Sequence, residues 1–194
     1  MIANDDRRFM SPAEYLAWEE RQLYKHEYVE GAVYAMTGGT LSHNAIALNL
    51  ASAIKNRLRG SGCRVFINDV KVRVSAKGPY FYPDVVVTCD DRDLQSQKLI
   101  RHPALIIEIL SPSTESYDRG DKFRWYRQIS SLQEYVLVDA QKRSVECYRL
   151  NERKKWELTA DFAEDASDHI SVEFPCLDFE CSMDIIYEDV NFEI

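Results

Sequence analysis

The run A-L-I-I-E-I-L-S, residues 104–111, constrains the fold more than any other part of this sequence. Its large apolar and β-branched residues predict a buried strand. Glu108 lies in the middle of that strand, where an unpaired carboxylate would be costly to bury. The carboxylate must therefore become neutral, find a cationic partner or bind a cation, and the rest of the sequence has to indicate which.

Strand-like and helix-like segments alternate along the chain, which predicts one α/β domain over residues 1–194 with a mixed sheet. The predicted strands lie at 26–36, with a break at Gly31, and at 64–74, 82–89, 104–111 and 134–139, followed by a hairpin that turns across N-E-R. The predicted helices run from Ser11 to about Gln22, from Ser42 to the glycines at 60 and 62, and over D-R-G-D-K-F-R-W-Y-R-Q-I.

The composition is ordinary for a globular protein, with 45% hydrophobic and 29% charged residues. The chain contains no apolar run of about 18 residues and its N-terminus lacks the apolar core of a signal peptide, so we expect a cytoplasmic protein with no membrane partner. The five scattered cysteines include no C-x-x-C pair. This arrangement predicts reduced thiols, with neither a disulfide framework nor a zinc site.

The formal net charge of −8 argues mildly against a nucleic-acid partner, but the charge is unevenly distributed. Residues 1–130 carry a balance of +2, whereas residues 131–194 carry a balance of −10. The first two thirds of the chain can therefore present a local positive face. This permits a nucleic-acid substrate without predicting one.

A second carboxylate interrupts a predicted strand at Asp84, which follows Pro83 and precedes three valines. Proline cannot donate to the backbone ladder, so it marks an edge or an irregularity at which a side chain can point into a cleft. If the strands of Asp84 and Glu108 are neighbours, the two carboxylates converge. Such a pair suits Mg²⁺, which takes one or two carboxylates and several waters. The alternative is structural, because P-D is common in turns and Glu108 could pair with an arginine.

Lys122 follows the Glu108 strand, in the predicted helix after S-P-S-T. In a metal-dependent phosphodiesterase, an ammonium beside the carboxylates can orient the attacking water and offset developing charge. The alternative is an ordinary lysine on the helix surface.

Three segments together resemble the bacterial Uma-type family of restriction endonucleases, which belongs to the PD-(D/E)XK nuclease superfamily. They are Y-P-D-V-V-V, L-I-I-E-I-L-S-P-S-T-E-S-Y-D-R-G-D-K-F-R-W-Y-R and L-Q-E-Y-V-L-V-D. The resemblance covers nearly the whole chain. It implies a restriction-endonuclease-like α/β core, in which a central mixed sheet is flanked by helices, with added antiparallel C-terminal strands.

The resemblance also implies the residues of the site. Asp84 and Glu108 match the two acids of the superfamily motif. The usual lysine position, two residues after Glu108, holds Leu110, and Lys122 matches a lysine that has moved to the following helix. The E-Y-V-E-G segment places Glu27 at a further family acid.

Two further matches leave alternatives open. Glu30 corresponds to an aspartate of the family, but it equally fits an exposed charge at the start of a strand. His43 matches a family histidine that could contact phosphate, but a capping or packing role fits this position as well.

The resemblance therefore implies a Mg²⁺- or Mn²⁺-dependent endonuclease, a hydrolase of nucleic-acid phosphodiester bonds, with DNA as the expected substrate. The expected metal ligands are Asp84, Glu108 and the Ile109 carbonyl, while Lys122 acts on the nucleophile and Glu27 assists the metal shell. Because duplex cleavage needs two active sites, we expect a homodimer. The alternative is a nuclease-fold protein that binds nucleic acid or a protein partner without cutting, as the acidic balance and the missing strand lysine suggest.

Overall fold

The computed structural model describes residues 2–3, 9–163 and 168–192 of the chain. Its strands are β1 (Ile2–Ala3), β2 (His26–Val29), β3 (Ala32–Ala35), β4 (Arg64–Ile67), β5 (Lys71–Arg73), β6 (Tyr80–Phe81), β7 (Val85–Thr88), β8 (Leu99–Ile100), β9 (Pro103–Leu110), β10 (Glu134–Asp139), β11 (Ser144–Leu150), β12 (Trp156–Phe162), β13 (Ser171–Phe174) and β14 (Phe179–Ser182). Its α-helices are α1 (Pro12–Glu19), α2 (Leu41–Arg57), α3 (Asp91–Leu94), α4 (Glu115–Tyr117), α5 (Phe123–Tyr126) and α6 (Met183–Ile186). A π-helical turn, Asp118–Lys122, joins α4 to α5, and Pro175–Leu177 form a 3-10 turn.

The central sheet has the strand order β12-β11-β10-β9-β7-β4. Strands β9 and β10 are parallel, and the other neighbours are antiparallel. Strand β9, which carries Glu108, is buried along its whole length. The predicted α/β class with a mixed sheet is confirmed, and the predicted hairpin forms β11 and β12, in which Ser144 lies opposite Phe162.

A second sheet, with the order β1-β3-β2-β6-β5-β8, contains the N-terminal strands. The predicted single strand over residues 64–74 is wrong in extent, because β4 joins the central sheet whereas β5 joins this second sheet. The break falls at Asn68, whose φ of 48° is left-handed and cannot continue a strand. Because residues on both sides of Asn68 alternate as in one strand, the sequence does not indicate that the chain passes from one sheet to the other.

Alternate residues of β9 point to opposite faces of the central sheet. Each face packs against helical residues. Leu105, Ile107 and Ile109 belong to the cluster that includes the buried face of α2. Ile106 and Leu110 belong to the opposite cluster, which includes residues of α5 and the turn after it. Glu108 shares the parity of this second set, so its side chain faces the segment that carries Lys122.

One expectation about the cysteines is wrong, because Cys63 and Cys89 form a disulfide. These residues flank β4 and β7, in which Arg64 lies opposite Thr88, so the register brings the two cysteines together across the strand ends. A separation of 26 residues gave no sign of this pairing in the sequence. Cys147, Cys176 and Cys181 are free.

No helix in the described ranges is both long enough and apolar enough to cross a membrane.

Candidate active site

One cleft of about 510 Å³ contains all the residues that the sequence predicted as catalytic or as metal ligands. They are Glu27, Asp84, Glu108, Ile109 and Lys122. The expected neighbours β7 and β9 are indeed paired, with Val85 opposite Ile107.

Asp84 lies where the backbone ladder between β7 and β9 ends. Strand β7 begins at Val85, directly after Pro83 and Asp84. The next free donor on β9, the Ile109 N–H, donates to Asp84 Oδ2 over 2.7 Å. The carboxylate therefore takes the place of a backbone acceptor, which fixes its orientation at the mouth of the cleft.

Glu108 is almost fully buried, at 3% exposure, and is held by two donors. Its Oε1 accepts a hydrogen bond of 3.0 Å from the Tyr126 hydroxyl and lies 2.9 Å from Lys122 Nζ. Burial raises the pKa of Glu108 well above its ordinary value, and repulsion from Asp118 and Asp84 adds to this, although Lys122 opposes the shift. The carboxylate in the strand therefore has a cationic partner.

Glu27 reaches the cleft from β2 in the second sheet. Its Oε1 accepts from the backbone N–H of Tyr82 over 3.2 Å and lies 3.3 Å from Lys122 Nζ. Burial raises the pKa of Glu27, while the attraction of Lys122 lowers it by less. The second sheet thus supplies one wall of the cleft.

Lys122 is buried between carboxylates and does not lie on a helix surface. Its Nζ contacts Glu108 and Glu27, and the Asp118 carboxylate lies 3.6 Å away. Burial lowers the pKa of the ammonium, but the attraction of Glu108 and Glu27 outweighs it, so the pKa of Lys122 lies well above its usual value. Lys122 therefore stays charged at neutral pH.

The π-helical turn from Asp118 to Lys122 explains how a helix can supply this lysine. A π turn is a wider helical turn that occurs often at functional sites. Both of its end residues, Asp118 and Lys122, are buried, while Phe123 and Tyr126 after it pack on the core. The turn presents an acid and a base to the same cleft.

The sequence prediction missed Asp118, which is 3% exposed and lines the cleft. Burial raises the pKa of Asp118, and the nearby Lys122 opposes this shift. The available signal was the spacing of four residues between Asp118 and Lys122 in D-R-G-D-K, which places the two side chains on one side of a helical segment.

The structure places His43 beside Asp84, with Nε2 at 3.3 Å from Oδ2. Thr40 caps the start of α2, where its hydroxyl accepts from the His43 backbone N–H, and His43 lines the cleft. Burial lowers the pKa of His43, but the hydrogen bond and attraction of Asp84 outweigh it and the pKa is raised. His43 thus contacts a predicted metal ligand.

Glu30 lies outside the cleft. It is exposed and occupies the turn between β2 and β3 with a left-handed φ of 49°. Its position agrees with the simpler of the two interpretations, an exposed charge beside a strand.

The donor chemistry of the cleft fits a hard divalent cation. Four carboxylates, Glu27, Asp84, Glu108 and Asp118, line a cleft whose lining contains one lysine, so negative charge is in excess. Asp84 Oδ1 and Glu108 Oε2 accept no hydrogen bond from the described residues. No three His, Cys, Asp or Glu residues of the described ranges are gathered around one point as a ready-made metal cage. Mg²⁺ needs no such cage, because it keeps several waters beside one or two carboxylates.

A family model described as "Uma2: Putative restriction endonuclease" matches residues 12–184 of the chain. The chain belongs to the Uma2 family. The match includes every predicted site residue, from Glu27 to Lys122, and both six-stranded sheets apart from β1.

Two relatives come from Synechocystis sp. (strain ATCC 27184 / PCC 6803 / Kazusa). The first, "Uncharacterized protein slr1290", is 42% identical over 183 residues, which cover 94% of each chain. The second, "Uncharacterized protein sll1609", is 32% identical over 161 residues, which cover 82% of this chain and 91% of the relative.

The crystal structure of a "putative nuclease belonging to DUF820" from Anabaena variabilis ATCC 29413 has a similar fold. The TM-score is 0.74 at 19% identity, and the match covers 92% of this chain and 97% of the other. At this identity the match concerns the fold, which is the restriction-endonuclease-like core expected for a Uma2 protein.

Proposed function

We propose that this Uma2 protein is a Mg²⁺- or Mn²⁺-dependent endonuclease of the PD-(D/E)XK type, which hydrolyses phosphodiester bonds of nucleic acid, with DNA as its substrate. The observation that carries the proposal is the convergence of Asp84, Glu108 and Lys122 in one cleft of a nuclease-like fold. Asp84 and Glu108 match the two acids of the superfamily motif, and Lys122 matches the lysine that has moved to the following helix.

The residues that would hold the ion are Asp84 and Glu108, with the Ile109 carbonyl as a third donor. When bound, the ion would balance the excess carboxylate charge, activate water and polarise the scissile phosphate. Asp84 is oriented for this role because the Ile109 N–H and His43 hold its Oδ2, which leaves Oδ1 for a ligand.

Lys122 supplies a fixed positive charge next to the acids. Because Glu108 and Glu27 hold the ammonium, it needs little reorganisation when charge develops on the phosphate, which is the condition for electrostatic catalysis. The role of Glu27 in this proposal is to hold Lys122 and to assist the metal shell with its second oxygen.

The wall of the cleft formed by the start of α2 suits a phosphate of the nucleic-acid backbone. Ser42 and His43, at the N-terminal end of the 17-residue helix α2, line the cleft together with Gly38 and Gly39. A helix N-terminus presents backbone N–H groups and a partial positive charge, which favour an anion. This wall therefore can receive the phosphate that the acids alone would repel.

The second candidate is a Uma2 protein that binds nucleic acid or a protein partner without cutting. One observation favours it: Lys122 already forms ion pairs with Glu108 and Glu27, so its charge is partly used within the protein. The net charge of −8 points the same way. We also propose a homodimer, because a duplex cut in both strands needs two such clefts.

A cleavage assay tests the proposal. Supercoiled plasmid, single-stranded DNA and RNA would each be incubated with the parent protein in Mg²⁺, Mn²⁺ or EDTA. We expect cleavage of DNA with either metal and none in EDTA. Asp84→Asn should abolish it, whereas Asp121→Asn, a change at an exposed acid of the same π turn as Lys122, should leave it intact. Binding of nucleic acid without cleavage under every condition would favour the second candidate.

A further inference from the structure

A second pocket, of about 210 Å³, lies at the opposite end of β9 from the cleft. His102 directly precedes β9, whereas Glu108 and Ile109 lie near its other end. The lining of the pocket includes Arg73, Arg101, His102 and Ser130. We call this site the arginine pocket.

The arginine pocket is a site of uncompensated positive charge. Its lining contains no acidic residue, and among the described residues Arg73 and Arg101 form neither an ion pair nor a side-chain hydrogen bond. Arg57, Arg92, Arg119 and Arg143 pair with a carboxylate, whereas Arg59 and Arg64 are also unpaired in the described part of the chain but do not line this pocket. In a protein of net charge −8, two free guanidinium groups around one pocket indicate an anionic ligand.

The nearby acid, Asp93, does not neutralise the pocket. Its carboxylate accepts from the backbone N–H groups of Arg101 and His102, over 2.9 and 2.7 Å, and from the Thr88 hydroxyl over 3.1 Å. Asp93 is 4% exposed, so these three donors, and not the solvent, stabilise its carboxylate. It fixes the backbone that carries Arg101 and His102, and its hydrogen bonds do not involve their side chains.

The available donors match a phosphate group. Arginine presents a planar fork of donors that bonds phosphate oxygens in pairs, and Arg73 and Arg101 supply two such forks. The His102 imidazole and the Ser130 hydroxyl add donors that form no side-chain hydrogen bond with the described residues. We propose that the arginine pocket holds a backbone phosphate of the nucleic acid outside the cleft, an inference that rests on the proposed function.

The length of β9 sets the size of the substrate that could reach both sites. Glu108 lies six residues after His102, and at about 3.3 Å per residue this places the two sites about 20 Å apart. With one step per 3.4 Å of duplex, this distance corresponds to about 6 base pairs. A nucleic acid shorter than this should not benefit from the arginine pocket.

The test compares two double variants of the full chain, each of which removes two positive charges. Arg73→Gln with Arg101→Gln changes the pocket. Arg59→Gln with Arg64→Gln is the matched control, because both of these arginines are exposed and neither forms an ion pair within the described ranges. Arg73 lies in β5, so its substitution could disturb the second sheet. Arg101→Gln alone avoids this, because Arg101 is exposed and follows β8.

Binding of a labelled 20-base-pair DNA would be measured by fluorescence anisotropy in Ca²⁺ at several salt concentrations. We expect the pocket variant to bind at least 10-fold more weakly and its slope of log Kd against log salt to fall by about one. The control should bind within about twofold of the parent. With a hairpin DNA of 4 base pairs, which is too short to reach both sites, the pocket variant and the parent should bind equally.

Three results would overturn the assignment. The first is equal weakening of DNA binding by both double variants, and the second is no weakening of DNA binding by the pocket variant. The third is a pocket variant that loses binding of inorganic phosphate but still binds DNA like the parent, which would assign the pocket to a free anion. Cleavage separates this inference from the proposed function. If the parent cleaves DNA but the pocket variant binds like the parent, only the pocket assignment fails. If the pocket variant loses DNA binding but the parent never cleaves, only the nuclease proposal fails.

Discussion

The ammonium of Lys122 lies 2.9 Å from Glu108 Oε1, and both side chains are less than one-tenth exposed. This contact explains how a glutamate can lie in the middle of a buried strand. It also links the proposed catalytic role of Lys122 to stability, because the same lysine contacts Glu27 and faces Asp118. A substitution at Lys122 should therefore affect both properties.

Replacing Lys122 by alanine should destabilise the fold by about 3–5 kcal/mol, because it leaves buried carboxylates without their cation. Urea denaturation at pH 7 measures this loss. Lys122→Gln combined with Glu27→Gln should recover much of it, because one buried charge of each sign is then removed.

The same double variant separates catalysis from stability. We expect its DNA cleavage to remain at least about 10²-fold below that of Glu27→Gln alone, which is the scale of losing one charge-stabilising group. If the double variant cleaves as fast as Glu27→Gln alone, the assignment of the lysine is wrong.

Divalent ions should stabilise the protein through the cleft. Since Mg²⁺ binds the assembled site and not the unfolded chain, millimolar Mg²⁺ should raise the Tm of the parent and of Asp121→Asn. Asp84→Asn and Glu108→Gln should lose most of this shift, although Glu108→Gln itself relieves the repulsion within the acid cluster. A parent Tm that neither Mg²⁺ nor Mn²⁺ changes would count against the metal site.

His43 should act by orienting Asp84. Because its Nε2 contacts Asp84 Oδ2, His43→Ala should reduce cleavage by about 10-fold to 100-fold, as is typical when a donor to a metal ligand is lost. His43→Gln keeps a side-chain N–H and should retain more activity at the same Mg²⁺ concentration. Equal activity of the two variants would show that the hydrogen bond to Asp84 does not matter.

Much of the fold and of the site could be predicted because strong local sequence patterns indicate the strands and the positions of the two acids. The apolar residues on both sides of Glu108 identified the central strand, and Pro83 before Asp84 marked the end of its neighbour. Together they placed both acids in one cleft. These features are local in sequence, and their pairing needed only one connection between adjacent strands.

Features that depend on distant contacts were missed. The burial of Lys122 depends on Glu27, which arrives from a different sheet, so the sequence could not show that the lysine is enclosed. The disulfide of Cys63 and Cys89 depends on the register of β4 and β7. The change of sheet at Asn68 depends on one left-handed residue inside an alternating pattern.

The proposed homodimer gives a direct prediction in solution. Light scattering after size exclusion at micromolar protein should give twice the mass of 22.5 kDa. A mass of one chain at this concentration would refute the dimer but would leave single-strand cleavage possible.

Glu134 gives a prediction of pH dependence away from the cleft. Burial raises the pKa of Glu134, although hydrogen bonds from Cys176 and the charge of Arg149 oppose the shift. A raised folded-state pKa contributes stability that is fully present below about 4.5 and is lost as pH rises through the folded value. The parent should therefore lose stability relative to Glu134→Gln as pH rises from 4.5, by at most about 1.4 kcal/mol per pH unit.

Urea denaturation of both proteins between pH 4.5 and 7.5 checks this prediction. A difference in the free energy of unfolding that stays constant over this range would mean that Glu134 has the same pKa in the folded and unfolded chains.

In the proposed function, Asp84 and Glu108 hold the ion with which the protein cleaves DNA. The most direct test is a Mn²⁺ titration in which bound Mn²⁺, by electron paramagnetic resonance, and DNA cleavage are measured in the same samples. We predict that the two curves rise together in the parent and in Asp121→Asn, and that both are lost in Asp84→Asn and Glu108→Gln. Cleavage that persists in Asp84→Asn, or Mn²⁺ binding unchanged by either substitution, would contradict the account.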